Sequence, residues 1–196
     1  SDEVAQNLPT AVTLASSSKK IFEEINLLFN NRNFRLYYTD DFIGCQIGGA
    51  LKNIYAIAAG ITNALNLGEN AKSALITRSF VEISRFSKNL GGNPKTVFGL
   101  SGLGDLILTC NSLKSRNTNF GYIIASNQKI SIEDHLKSQQ TTEGYYTVKA
   151  VYEIAYEKKI DMPIMNSIYN ILYNGFNIDN EVNNLLDRSV KKEIDQ

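Results

Sequence analysis

The stretch from Phe42 to Gly68 constrains the fold of this chain most, because its 27 residues carry a single charged side chain, Lys52. A membrane-spanning helix needs roughly 20 mostly apolar residues, so length alone would allow this stretch to cross a bilayer. The stretch also contains four amide side chains and four internal glycines. Amide groups are costly in lipid. We therefore predict a long helix buried inside a soluble, all-helical domain.

Charge and composition exclude several classes of function. The chain has 20 basic and 20 acidic side chains, so it offers no general electrostatic attraction for nucleic acid or an acidic membrane, and we expect neither as a partner. Cys45 and Cys110 are too few for a disulfide framework and favour a reducing compartment, here the cytoplasm. The single histidine, His135, and the lack of clustered carboxylates argue against a Ser-His-Asp triad and against a bound metal.

The first forty residues differ in pattern from the rest. A β-prone run at 10–15 is followed by a helical pattern from Lys19 to Phe29 and by a second β-prone run at 33–38. Strand, helix and strand in this order form a βαβ unit, which normally belongs to a larger parallel sheet. Two strands do not make a stable sheet alone. The chain also opens on polar residues without Met or a signal-peptide pattern, so we expect a fragment of a longer protein.

From Asp41 onward the sequence carries only helical signals. We predict a mainly α fold with at least six helices after Asp41. Besides the central stretch, the predicted helical segments are 71–90 with Asn70 as N-cap, a turn at Pro94, 101–109, 116–125, a capping box at 131–134, 146–158, 163–173 and 180–188.

Lys52 is the first candidate for chemistry, since it lies in the middle of the uncharged stretch. Gly48 and Gly49, one turn earlier, leave room for another chain or a ligand to approach. A lysine in such a place either extends its amine to solvent, pairs with a carboxylate, or acts as an acid or base. The pattern alone leaves these three interpretations open.

Two further segments could carry a site. The first is glycine-rich, from Gly99 to Asp105, but it lacks the third glycine of a dinucleotide fingerprint and can equally be a tight turn. On one helix Asp105 and Thr109 would share a face. The second segment, Lys114 to Asn119, combines cations, hydroxyls and amides at a helix start. This composition suits a phosphate, although a polar capping loop would look the same.

These segments are more specific together than alone. Five motifs occur in this order: 48–53 (GGALKN), 70–78 (NAKSALITR), 102–110 (GLGDLILTC), 115–117 (SRN) and 143–144 (EG). Together they resemble the C-terminal half of bacterial NAD(P)-dependent glycerol-3-phosphate dehydrogenase, and the resemblance covers nearly the whole chain. It implies that residues 1–40 are the remnant of a Rossmann-type nucleotide-binding domain. Residues 41–196 would then form an all-helical substrate-binding and catalytic domain.

The resemblance also implies an activity. The family interconverts dihydroxyacetone phosphate and sn-glycerol 3-phosphate with NAD(P)H, and its product enters glycerophospholipid synthesis. By motif, Lys52 resembles the catalytic acid/base that exchanges a proton with the C2 oxygen, and Asn53 would lie near the same oxygen. Asp105 and Thr109 resemble substrate-site residues that orient Lys52 and the hydroxyls.

A second group of residues would hold the phosphate and the cofactor. Ser115, Arg116 and Asn117 resemble the phosphate-binding residues, and Arg116 can also face the cofactor. Thr141 and Glu143 resemble positions near the cofactor, although the family usually has an apolar residue where Thr141 stands. The family's glycine-rich first turn and first substrate-binding lysine are absent from this chain. We therefore expect a partner in the missing N-terminal Rossmann domain and no activity of the fragment alone. A homodimer is the expected assembly.

Two other functions stay open from the sequence. Another dehydrogenase with a helical C-terminal domain, such as a 3-hydroxyacid or ketopantoate-type reductase, predicts a carboxylate site in place of the phosphate cluster. A non-catalytic helical dimerisation module would leave Lys52 exposed and scatter Asp105, Arg116 and Asn117. Convergence of these polar residues on one cleft distinguishes the functions.

Overall fold

A computed structural model describes residues 2–127, 132, 136, 142–189 and 192. The elements in chain order are helix α1 (Asp2–Ala5), strand β1 (Thr10–Ala15), helix α2 (Lys19–Phe29), strand β2 (Phe34–Thr39), helices α3 (Phe42–Ala64) and α4 (Gly68–Asn89), a 3-10 turn (Thr96–Phe98), a π-helical turn (Leu100–Gly104), and helices α5 (Asp105–Cys110), α6 (Arg116–Ser126), α7 (Glu143–Glu157), α8 (Pro163–Tyr173) and α9 (Ile178–Leu186). Seven of the described helices follow Asp41. The predicted mainly α fold with a strand-helix-strand start is confirmed.

The N-terminal unit is a small parallel sheet with one helix. Strands β1 and β2 pair in parallel, with Thr10 opposite Phe34. Helix α2 between them buries none of its residues, and the side chains of Leu27 and Leu28 are 84% and 80% exposed. The unit therefore presents apolar surface that the described part of the chain leaves uncovered.

Helix α3 is the centre of the helical body. Every residue from 51 to 62 is buried except Lys52, because five helices, α4 to α8, pack around it. Its start is capped by the Asp41 carboxylate, which accepts a hydrogen bond of 2.9 Å from the Gly44 amide. The predicted central buried helix is confirmed, but it ends at Ala64 and not at Gly68, because Asn66, at a φ of 52°, turns the chain and Gly68 begins the next helix. Within the described residues no helix is both long and apolar enough to span a membrane.

Helices α3 and α6 cross with their backbones in contact. A Cβ atom at Gly60 would overlap the carbonyl oxygen of Thr118, and one at Gly121 would overlap that of Ile57. Only glycine allows so close an approach. As a result, the first turn of α6 lies beside the middle of α3, where Asn53 is located.

Three helices, α4, α7 and α9, begin earlier than predicted, and α9 begins at Ile178 and not at 180. Asn70 is not the N-cap of α4, which begins at Gly68, because the positive φ angles of Asn66 (52°) and Gly68 (87°) reverse the chain directly after α3. Helix α7 begins at Glu143 and not at 146, so Glu143 lies in its first turn. The predicted capping box at 131–134 falls largely outside the described residues.

Candidate active site

Lys52 and Asp105 form an ion pair on the solvent side of α3. Their side chains are 23% and 30% exposed, so solvent reaches the pair. Asp105 is the first residue of α5 and follows the π-helical turn, in which the Gly104 amide donates to the Gly99 carbonyl at 3.2 Å. The glycine-rich segment therefore positions the Asp105 carboxylate against the Lys52 amine.

Gly48 explains how that turn reaches α3. A Cβ atom at Gly48 would overlap the backbone carbonyl of Ser101. The space that Gly48 was predicted to leave for a ligand or another chain is therefore occupied by the backbone of the π-helical turn. At Gly49 the described atoms leave open space around a built Cβ.

Thr109 holds Asp105 and joins α5 to α6. Its hydroxyl donates to the Asp105 backbone carbonyl at 2.6 Å and lies 3.4 Å from the Asp105 carboxylate. Its own carbonyl accepts a hydrogen bond of 2.8 Å from the hydroxyl of Thr118, which is fully buried. Thr118 lies in the segment that the sequence analysis singled out for a phosphate, but its contact with Thr109 was not predicted. The Ser115 hydroxyl caps α6 by accepting from the Thr118 amide at 3.4 Å.

A second cluster lies next to the ion pair and is buried. The Asn117 side chain donates to the Asn53 side-chain oxygen at 3.0 Å and accepts from the Gly144 amide at 2.9 Å. Both asparagines are 7% exposed. A Cβ atom at Gly144 would overlap the Asn117 side-chain oxygen, so only glycine lets α7 come this close. Three helices therefore meet at one amide network.

Glu143 connects the buried cluster to an exposed one. Its carboxylate accepts from the Asn53 side-chain amide at 3.2 Å and lies 3.7 Å from the Arg116 guanidinium. The Arg116 and Glu143 side chains are 55% and 63% exposed. Because water screens exposed charges, this ion pair is weak and Arg116 can exchange Glu143 for an anionic ligand.

The structure brings seven of the predicted site residues into two clusters that are adjacent along α3 and α6, with Ser115 at their edge. Lys52, Asp105 and Thr109 form the first cluster, and Asn53, Asn117, Glu143 and Arg116 form the second. The scattering expected of a dimerisation module is not seen. Thr141 and His135 lie outside the described residues. Within the described part, no group of three or more His, Cys, Asp or Glu residues could hold a metal ion.

The arrangement separates fixed from accessible groups. The two asparagines are buried and hydrogen-bonded, so they set the spacing of α3, α6 and α7. Solvent reaches the side chains of Lys52 and Arg116, so both can contact an anionic ligand. A cation with a transferable proton beside a guanidinium at a helix N-terminus suits an anionic substrate that undergoes proton transfer.

Residues 41–183 match the protein family described as NAD-dependent glycerol-3-phosphate dehydrogenase C-terminus. The chain belongs to this family. A glycerol-3-phosphate dehydrogenase [NAD(P)+] of Bacillus cytotoxicus is 45% identical over 195 residues, which are 99% of this chain and 57% of that protein. That of Bacillus cereus strain AH187 is 44% identical over the same shares.

Solved structures agree with this assignment. The glycerol-3-phosphate dehydrogenase of Coxiella burnetii superimposes with a TM-score of 0.89 at 39% identity, over 95% of this chain and 57% of that chain. That of Saccharomyces cerevisiae gives a TM-score of 0.82 at 28% identity, over 92% and 55%. The chain thus spans little more than half the length of the relatives that it matches.

Proposed function

We propose that the protein carrying this chain interconverts dihydroxyacetone phosphate and sn-glycerol 3-phosphate with NAD(P)H, as a step that supplies glycerophospholipid synthesis. The observation that carries the proposal is the meeting of the Lys52–Asp105 ion pair with the Asn53–Asn117 pair and Arg116, in a chain of this family. The relatives' printed names give the same activity for those proteins.

Lys52 is the proposed acid/base. When bound, the nicotinamide would supply the hydride for C2 of the ketone. The Lys52 ammonium would give a proton to the C2 oxygen, and in the reverse direction the amine would take it back. Asp105 holds the ammonium, and Thr109 holds Asp105. Asn53 uses one of its two amide hydrogens for Glu143. The other is available to the C2 oxygen.

The start of α6 is the proposed phosphate site. Its first turn presents backbone amides and the positive end of the helix dipole, both of which favour a phosphate. Arg116 adds charge-assisted hydrogen bonds. Ser115 and Asn117 use their side chains to cap the helix and to bridge α3 and α7, so they support the site mainly through its geometry.

The cofactor would bind across the boundary with a second domain. We assign residues 1–40 to the end of a nucleotide-binding Rossmann domain and 41–196 to the substrate-binding domain. The two-stranded parallel sheet and the exposed apolar side chains of α2 support this division. Arg116 and Glu143 would face the cofactor together with Thr141. The chain alone should therefore be inactive.

The surroundings of the protein are also proposed. Zero net charge and two free cysteines favour a cytoplasmic enzyme without membrane or nucleic-acid partners. We also expect a homodimer, because two-fold symmetric dimers are the commonest assemblies of soluble proteins.

A substrate panel tests the activity. The full-length protein should oxidise NADH or NADPH with dihydroxyacetone phosphate. With dihydroxyacetone, which lacks the phosphate, kcat/KM should fall by at least about 100-fold, since charge-assisted contacts contribute roughly 1.5–3 kcal/mol each. Ketopantoate should give no turnover. Faster turnover of ketopantoate or a 3-hydroxyacid than of the phosphorylated ketone would establish the competing dehydrogenase class.

A further inference from the structure

Gly49 lies within α3, three residues before Lys52. Its φ angle is not positive, so the backbone does not require a glycine at this position. Inside a helix, glycine is less favourable than alanine, because a backbone without a side chain loses more freedom on folding. The presence of glycine here therefore needs a reason other than the conformation of the chain.

The other three glycines of α3 each have such a reason, since protein atoms occupy the place of a side chain: Gly44, Gly48 and Gly60. At Gly48, for example, a built Cβ atom would overlap the backbone carbonyl of Ser101. Outside its own stretch of helix, the described residues place no heavy atom within 4 Å of a Cβ atom built at Gly49. A side chain at this position would therefore meet no described part of the protein, and the space is open to a ligand.

This open space lies beside the proposed proton donor. Side chains on a helix point back towards its start, so the residues three and four positions after Gly49 extend over it. These residues are Lys52 and Asn53, whose amine and amide are proposed to contact the C2 oxygen of the substrate. A group in this space therefore belongs to the molecule that carries this oxygen.

The proposed phosphate site lies in the opposite direction along α3. Helix α6, whose first residue is Arg116, contacts α3 at Asn53 and Gly60. Both contacts lie from Asn53 towards the end of α3, whereas Gly49 lies about one turn, or about 5.4 Å, towards its start. A substrate with its phosphate at Arg116 and its C2 oxygen at Lys52 therefore directs its remaining carbon towards Gly49.

We propose that Gly49 receives the unphosphorylated end of the substrate. The hydroxymethyl group on the far side of C2 from the phosphate packs on the Cα atom of Gly49, in the room that the absent side chain leaves. Gly49 thereby limits the size of the group that a substrate can carry on this side of the carbonyl. The inference rests on the proposed function and extends it to a residue that determines specificity.

Two neighbouring variants of the full-length protein test the inference through stability. Gly49→Ala should raise the midpoint of thermal unfolding by about 2 °C, because alanine is the better helix former and meets no described protein atom. Gly48→Ala is the matched contrast and should lower the midpoint by at least about 4 °C, since its Cβ atom overlaps the Ser101 carbonyl. A midpoint that falls in Gly49→Ala, or failure of this variant to fold, would show that protein atoms fill the space and would overturn the inference.

Competitive inhibition of dihydroxyacetone phosphate reduction tests which group occupies the space. sn-Glycerol 3-phosphate carries the hydroxymethyl group, whereas 2-hydroxyethyl phosphate keeps the phosphate and the alcohol carbon and lacks it. In Gly49→Ala the inhibition constant of sn-glycerol 3-phosphate should rise by at least about tenfold, because the added methyl group overlaps the ligand. The inhibition constant of 2-hydroxyethyl phosphate and the dissociation constant of NADH, measured by fluorescence titration, should each change by less than about twofold.

Three outcomes of these measurements would overturn the inference. Equal rises in the two inhibition constants would place the hydroxymethyl group elsewhere, and two unchanged constants would leave only water at Gly49. A weaker NADH complex with unchanged inhibition constants would assign the space to the cofactor. None of these outcomes contradicts the proposed function, which fails only if the wild-type protein does not reduce dihydroxyacetone phosphate.

Discussion

Helix α3 offers two neighbouring side chains to carboxylates from other helices, and the two pairs differ in access to water. Lys52 pairs with Asp105, and both side chains are about a quarter exposed, at 23% and 30%. Three residues later, the Tyr55 hydroxyl donates to Glu82 at 3.0 Å, and these residues are 0% and 3% exposed. We call Lys52–Asp105 the open pair and Tyr55–Glu82 the sealed pair; they lie one turn apart on α3.

The sealed pair joins three helices. The Glu82 carboxylate of α4 accepts from the Ile164 and Met165 amides at 2.7 and 3.1 Å, and so caps the start of α8, where no side chain of its own does so. Burial raises the pKa of Glu82 to about 7 against the lowering effect of these hydrogen bonds. Burial and the neighbouring Glu82 raise the pKa of Tyr55 well above its usual range.

The difference teaches which pair can take part in chemistry. Water reaches Lys52 and Asp105, so a ligand can displace it there without opening the core. Reaching Glu82 would require unpacking α8 from α4. We therefore expect substitutions at the open pair to change turnover and substitutions at the sealed pair to change stability.

The largest expected effect is that of Lys52→Ala in the full-length protein. Because general acid–base help is typically worth about 10²–10⁴-fold, kcat with dihydroxyacetone phosphate should fall by about that factor. The midpoint of thermal unfolding should change little, since water reaches and screens this partly exposed pair. Lys149→Ala, on the exposed face of α7, is the matched control. A near-normal kcat would make Lys52 a structural ion-pair partner only.

Glu82→Ala should reverse this pattern. It leaves two buried amides and the Tyr55 hydroxyl without an acceptor, so the free energy of unfolding should fall by about 4 kcal/mol. The kcat of the folded fraction should change far less than in Lys52→Ala. Urea denaturation at neutral pH measures the loss, with the exposed Glu153→Ala as control. If Glu82→Ala is as stable as the control Glu153→Ala, the Tyr55–Glu82 pair does not stabilise the fold.

The sealed pair should also make stability depend on pH. The pKa of Glu82 is raised from 4.5 to about 7, so the native state holds this proton more tightly than the unfolded state does. The stabilisation is complete below about pH 4.5 and is lost as the pH rises through about 7, by about 3 kcal/mol in total. Glu82→Gln cannot titrate. We therefore expect the unfolding free energy of wild type to fall relative to that of Glu82→Gln as the pH rises from 5 to 8. Plots of unfolding free energy against pH that run parallel for the two proteins would contradict this prediction.

Arg116→Ala is expected to have the smallest effect and sharpens the description of the open site. Because this side chain is 55% exposed, its loss should raise the KM for dihydroxyacetone phosphate by only about tenfold and lower kcat by less. Steady-state kinetics measures both constants. Lys114→Ala, also exposed and two residues away, is the control. An unchanged KM would show that the phosphate is held elsewhere.

Local signals predicted the bounds of two helices. Helices α2 and α8 have the predicted bounds, because a capping Ser18 starts one, while Pro163 starts the other and Gly175, at a φ of 67°, follows its end. Helices α4, α7 and α9 begin earlier than predicted. At α4 the positive φ of Asn66 decides the start, and asparagine by itself does not announce that conformation.

The candidate site was predictable in its residue types and not in its connections. Lys52 is conspicuous as the only charge in 27 residues, and Asp105 and Thr109 follow helical spacing. The hydrogen bond from Thr118 to Thr109 and the close approach at Gly144 were missed. Glu82 was missed as well, because it resembles any glutamate of an amphipathic helix, while its partner Ile164 lies 82 residues further on.

The sequence by itself determined what each segment could become: an uncharged stretch long enough to be a central helix, capped and stopped helices around it, and a set of polar residues with no place in a core unless they meet. The tertiary structure decided which of them met and how much water reaches them. Hydrogen-bond partners and burial depend on helices brought together from distant parts of the chain, here through glycine contacts such as Gly60 against Thr118. For that reason the open pair at Lys52 and the sealed pair at Glu82 are distinguished only in the folded molecule.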